Sequence, residues 1–122
     1  MNSKTLLVCI VDDDESVRES LPDLLREFGL VPRAFETADA FLASGLADQT
    51  KCLILDIAMP GMSGPELKQE LDKRGYIVPI IFITAKPDSA SRPEIRKNAV
   101  ACLIKPFSDT DLLEALKKAL NL

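Results

Sequence analysis

The stretch KCLILDIAMPGMSG, residues 51–64, decides the fold. Cys52, Leu53, Ile54 and Leu55 form an apolar run that ends in one carboxylate, Asp56. Pro60, Gly61, Ser63 and Gly64 follow, a cluster of turn formers. A short apolar run bounded by turn signals fits a strand buried on both faces, as in a parallel sheet. Asp56 then stands at the carboxyl end of that strand, where open α/β sheets place their ligands. Leu6 to Val11 repeats the arrangement, ending in Asp12, Asp13 and Asp14. Two acid-tipped strand ends meeting at one crevice make a site for a hard cation.

Outward from these two strands the chain alternates. Val31–Phe35 reads as a second strand, Ile80–Ile83 after Pro79 as a fourth ending in Thr84, and Cys102–Ile104 as a fifth ending in Lys105-Pro106. Between strands one and two, Val17, Leu21, Leu24, Leu25 and Phe28 recur at helical spacing. Ser16 and Glu19 have capping-box spacing, Gly29 is a natural stop, and Pro22 predicts a kink or irregular first turns. A second helix is expected over Thr37–Ala43, capped by Thr37 and closed near Gly45. A third starts near Pro65, turns Leu67 and Leu71 inward and ends at Gly75. Pro87 and Pro93 leave room for about two turns of a fourth helix. Ser108 with Asp111 caps a last helix carrying Leu112, Leu113, Leu116 and Leu120, with Lys117 and Lys118 at the end that favours cations. Five strands alternating with five helices predict a doubly wound parallel sheet covered on both faces, α/β in class. With 122 residues and neither repeat nor linker, residues 1–122 read as one domain.

Composition removes several function classes. A formal net charge of −4 argues against direct nucleic-acid binding, which needs basic residues to displace counterions. No apolar run reaches membrane-span length, and the N-terminus, with one Lys and a short apolar run, does not fit a signal peptide. Cys9, Cys52 and Cys102 are scattered in apolar runs, which predicts buried free thiols and a reducing cytoplasm. The absence of His removes the commonest general base.

The strand ends collect Asp12, Asp13, Asp56, Thr84 and Lys105. Three carboxylates exceed what one Lys neutralises, and all-oxygen ligation suits Mg²⁺. With a metal present, Asp56 is placed to act as a nucleophile toward a phosphoryl group, Lys105 to take charge on its oxygens, and Thr84 to donate to another. No Gly-rich phosphate loop accompanies them. Such a site accepts a phosphoryl group but is poorly equipped to turn one over. The plainer readings are helix capping for the Asp12–Asp14 run, a turn residue at Asp56 and a solvated charge at Lys105. Asp14 is the member of the run assigned to capping.

VDDDESVR, LDIAMPGMSG, ITA and KPF, in this order and at these intervals, resemble the receiver domain of two-component response regulators, and most of all the receivers found on LuxR-type transcription regulators. The resemblance spans essentially the whole chain. It implies a flavodoxin-like sheet of order 2-1-3-4-5, with Asp56 as phosphoacceptor. Asp12, Asp13, Asp56 and the backbone carbonyl of Ala58 would hold Mg²⁺. Thr84 would be the hydroxyl that moves toward the phosphoryl group, and Lys105 its ion partner, followed by a cis Lys-Pro bond. Implied partners are a sensor histidine kinase, a phosphotransfer protein or a small phosphodonor, with dimerisation or output through the face of helix four, strand five and helix five. The implied chemistry is a cytoplasmic signalling module whose only catalysis is its own phosphorylation and dephosphorylation. The chain departs from the family at the switch position, where Cys102 replaces an aromatic residue. It departs also at Lys97-Asn98, where a small residue and Gly are usual, and in a short fourth helix. Two other readings fit less well. A haloacid-dehalogenase-type phosphatase wants Asp where Ala58 stands, and an FMN-carrying flavodoxin would not put the acidic DDDES turn against a phosphate.

Overall fold

The computed structural model describes residues 6–122, so the reading of the N-terminal segment lies in part outside the described residues. The strands are β1 (Leu7–Val11), β2 (Val31–Phe35), β3 (Cys52–Asp56), β4 (Ile80–Thr84) and β5 (Ala101–Ile104). The helices are α1 (Glu15–Glu27), α2 (Ala38–Ala43), α3 (Gly64–Lys73), α4 (Pro87–Ala90), α5 (Pro93–Lys97) and α6 (Asp109–Leu120). All four strand pairings are parallel, and the order is β2-β1-β3-β4-β5, as the resemblance implied.

β1, β3 and β4 are buried at every position, which is why they read as unbroken apolar runs. Alternate residues go to opposite faces. Cys9, Leu53, Leu55 and Phe82 pack under α2 and α3 with Phe41, Leu67 and Leu71. Val8, Ile10, Ile54 and Ile81 pack under α1 and α6 with Leu21, Leu25, Leu112 and Leu116. The strand order reverses between β1 and β3, so their carboxyl ends border the crevice in which such sheets bind ligands.

Several local expectations need correction. The Ser16–Glu19 capping box does not form; instead Asp14 Oδ1 accepts from the Ser16 amide at 2.9 Å and its hydroxyl at 2.8 Å. As for Pro22, it lies inside α1, with Leu21 and Leu25 of the same helix packed against the sheet. The fourth helix is two short pieces, so six helical segments cover the sheet rather than five. Pro93 has no amide to continue the ladder from α4, and Arg92 closes a turn on the Ser89 carbonyl at 3.3 Å before α5 begins. Cys9 and Cys52 are core thiols, but Cys102 is only half-buried on the edge strand.

The turn after β3 is fixed by a close approach. Gly64 donates to the Ile57 carbonyl at 3.0 Å, and a Cβ at Gly64 would press on the Asp56 carbonyl and lie 3.1 Å from Ile57 Cα. Ser63 and Glu66 make the reciprocal capping box that starts α3, a signal present in the S-x-x-E spacing. Gly64→Ala is therefore expected to destabilise by about 1–3 kcal/mol, because the obstacle is backbone and cannot rotate away. Thermal unfolding measures this, and an unchanged midpoint would show that the turn yields without cost.

Candidate functional site

β1, β3 and β4 each bring a polar side chain to their carboxyl ends. Asp12, one residue past β1, is fully buried; Asp56, closing β3, is 6% exposed; Thr84, closing β4, is 2% exposed. Carboxylate oxygens of Asp12, Asp13 and Asp56 all lie within 4.8 Å of one another. Asp12 is held on several sides. Its Oδ1 accepts from the Asp14 amide at 2.9 Å, its Oδ2 from Lys105 Nζ at 2.9 Å, and its backbone carbonyl from Arg18 Nη1 at 3.0 Å. The Asp12 amide donates to the Phe35 carbonyl at 3.1 Å. Asp13 is exposed, and among the described residues no hydrogen bond reaches its side chain. The capping role falls to Asp14 alone, as assigned from the sequence.

Electrostatics here are strongly biased. Burial, followed by the neighbouring Asp12 charge, pushes the Asp56 carboxyl up to about 7, with Lys105 opposing the rise. For Lys105, burial alone would lower the ammonium; the hydrogen bond to Asp12 and the charges of Asp56 and Asp12 outweigh it and hold it above its usual value. Asp14 is held below the usual carboxylate range by its bonds to Ser16.

The structure thus brings Asp12, Asp13, Asp56 and Lys105 together. Thr84 is at the matching strand end, but its hydroxyl is engaged with the next loop, accepting from the Lys86 amide at 3.0 Å. Ala58 is exposed between buried Ile57 and Met59 in the turn after β3, which begins with the Ile57 amide bonded to the Ile83 carbonyl at 3.1 Å. Cys102 lies apart, opposite Phe82 in the β4–β5 register. Lys105–Pro106 is cis. The Lys105–Asp12 bond joins residues 93 positions apart, and no local pattern announces it. Arg18, which steadies the Asp12 carbonyl, was likewise not legible from the sequence.

All-oxygen donors at this spacing, with one carboxyl driven upward by its neighbours, fit a hard divalent cation: it would relieve the repulsion that Lys105 only partly offsets. Fold and site together define an α/β phosphoacceptor-type module, with an acidic crevice at the switch point of a doubly wound sheet. Residues 8–117 match the response regulator receiver domain family, and the chain belongs to it.

Among its relatives is the transcriptional regulatory protein TdiR of Thauera aromatica, 40% identical over 94% of this chain and 51% of its own length. Nodulation protein W of Bradyrhizobium diazoefficiens is 42% identical over 96% of this chain and 52% of its own. The chain spans about half the length of these relatives. Response regulator TrrA of Thermotoga maritima, solved in complex with Mg²⁺–BeF, superposes with a TM-score of 0.84 at 31% identity, covering 95% of this chain and all of TrrA.

Proposed function

We propose that residues 1–122 act as one cytoplasmic receiver domain that takes a phosphoryl group onto Asp56. The observation that carries this is the meeting of three carboxylates within 4.8 Å beside Lys105. In the reaction an Asp56 carboxylate oxygen attacks phosphorus as the bond to the donor nitrogen or oxygen breaks. The leaving group keeps the electron pair: the imidazole of a phosphohistidine takes a proton from water, whereas the carboxylate of an acyl phosphate departs as the anion. The donor is a phosphohistidine on a sensor kinase or phosphotransfer protein, or a small acyl phosphate. Asp12, Asp13, Asp56 and the Ala58 carbonyl would hold Mg²⁺, which supplies charge neutralisation on the phosphoryl oxygens. Asp12 orients the Lys105 ammonium, and Lys105 balances the charge that arrives on Asp56. Thr84 serves this reaction by turning its hydroxyl from the Lys86 carbonyl, to which it donates at 3.4 Å, to a phosphoryl oxygen. The test is incubation with acetyl phosphate: one acid-stable, base-labile phosphoryl group is expected with Mg²⁺ and none with chelator.

The face of α4, α5, β5 and α6 is proposed as the output surface, with a muted or rerouted switch. In the family an aromatic ring fills the space that the Thr hydroxyl leaves; Cys102 lacks the volume and the packing contacts to follow Thr84. Phosphorylation biases a two-state element only through contacts that differ between its states. Amide chemical-shift changes on adding beryllofluoride to the Mg²⁺-loaded protein should concentrate in residues 85–92. Large changes across Leu103, Ile104 and the exposed face of α6 would show that the switch survives without its aromatic ring.

A further inference from the structure

Asp12, Asp13 and Asp56 are not held equally. Asp56 closes β3 inside the sheet, paired with Ile83. Asp12 accepts from the Asp14 amide at 2.9 Å and from Lys105 Nζ at 2.9 Å. Asp13 is exposed and one residue further from the sheet, and among the described residues no hydrogen bond reaches its side chain. Its backbone is therefore what aims its carboxylate, and both peptide units flanking its Cα are pinned. The amide of the second, that of Asp14, donates to Asp12 Oδ1 at 2.9 Å. The carbonyl of the first, that of Asp12, accepts from Arg18 Nη1 at 3.0 Å.

The sheet does not supply that last bond. The Asp12 amide still reaches the Phe35 carbonyl at 3.1 Å, but β2 ends at Phe35, and among the described residues no backbone amide bonds the Asp12 carbonyl. A buried carbonyl needs a donor, and Arg18 provides it from the first turn of α1. That turn is closed by the Arg18 amide on the Asp14 carbonyl at 3.2 Å, and Leu21 and Leu25 pack the helix on the sheet. A guanidinium next to Asp12 has carboxylates as its strongest partners, yet Arg18 forms no ion pair among the described residues. It holds the peptide and leaves the Asp13 oxygens open.

We propose that Arg18 is a positioning residue for Mg²⁺ binding: by fixing the Asp12–Asp13 peptide it sets the Asp13 carboxylate in place before the ion arrives. This role rests on the reading of Asp13 as a ligand. The sign of its effect separates it from simple electrostatics. A cationic side chain beside a cation site opposes binding, so loss of the charge alone would strengthen Mg²⁺ affinity. Loss of the anchor weakens it, because Asp13 must then surrender backbone freedom on binding the metal. A role confined to satisfying the Asp12 carbonyl would lower stability and leave the affinity of the folded protein unchanged.

Calorimetric Mg²⁺ titration of the full chain, well below its melting temperature, tests this on wild type, Arg18→Met, Asp13→Ala and the double variant. Arg18→Met should weaken binding about tenfold, and no more than Asp13→Ala does. In the Asp13→Ala background the same substitution should bring no further loss, since the carboxylate it positions is gone. Arg18→Lys, which keeps the charge and a donor, should recover part of the affinity. Should Arg18→Met not fold, Arg18→Gln, neutral and shorter, takes its place in the same cycle. Unchanged or tighter binding on loss of Arg18, beside a loss in Asp13→Ala, overturns the proposal alone. So does an equal loss from the Arg18 substitution in both backgrounds. Wild type that binds no Mg²⁺, or Asp13→Ala that binds it as wild type does, overturns the reading of the site and this role with it.

Discussion

Asp56→Asn is expected to abolish phosphoryl uptake from acetyl phosphate completely while making the metal-free protein more stable. Both outcomes come from one arrangement. The nucleophilic oxygen belongs to a carboxyl that burial and the Asp12 charge hold at about 7. Amide in place of carboxylate removes the nucleophile and also the repulsion. The direction with pH follows from linkage. Below about pH 4 this group is protonated in both folded and unfolded chains and costs nothing. As pH rises toward 7 the unfolded chain releases its proton first, so Asp56 lowers stability across that window and keeps it lowered above it. Wild type and Asp56→Asn should therefore agree near pH 4 and diverge by on the order of 1–4 kcal/mol at neutral pH in chelator. Denaturant unfolding at several pH values measures the difference, in which the opposite slopes of Asp14, Glu66 and Glu70 cancel. Labelling that persists in Asp56→Asn would remove the phosphoacceptor assignment; equal stability at all pH values would remove the electrostatic one.

Removal of Asp13 should weaken Mg²⁺ binding by at least about tenfold, yet not weaken the metal-free fold. Asp13 is the exposed member of the cluster, and helix capping is performed by Asp14, so its carboxylate contributes repulsion without a structural bond among the described residues. Asp13→Ala should melt at the same or a higher temperature in chelator. Added Mg²⁺ should then raise the midpoint of wild type at concentrations that leave the variant unmoved, because a ligand stabilises according to its concentration relative to Kd. Phosphoryl uptake should need correspondingly more Mg²⁺. Loss of metal-free stability would assign Asp13 a capping role, and an unchanged Mg²⁺ dependence would exclude it as a ligand.

The sheet was legible because its evidence is local. Strands buried on both faces have to be apolar throughout, and CLIL before Asp56 and IIFI before Thr84 are buried at every position. The acid at each strand end was legible for the same reason, since position along a strand fixes position in the crevice. Caps were read at Asp14, Thr37 and Ser108, although the Ser16–Glu19 spacing also offered a later start for α1 that the structure does not use. Two features came only from tertiary structure. The bond between Lys105 and Asp12 depends on β5 and β1 presenting their ends to one space across β3 and β4, a distance that no window of sequence contains. The elevated Asp56 carboxyl depends on burial and on Asp12 together, and both are properties of the packed crevice. Residue order determined which groups reach the site; the packing of strands against one another decided their charge and their partners.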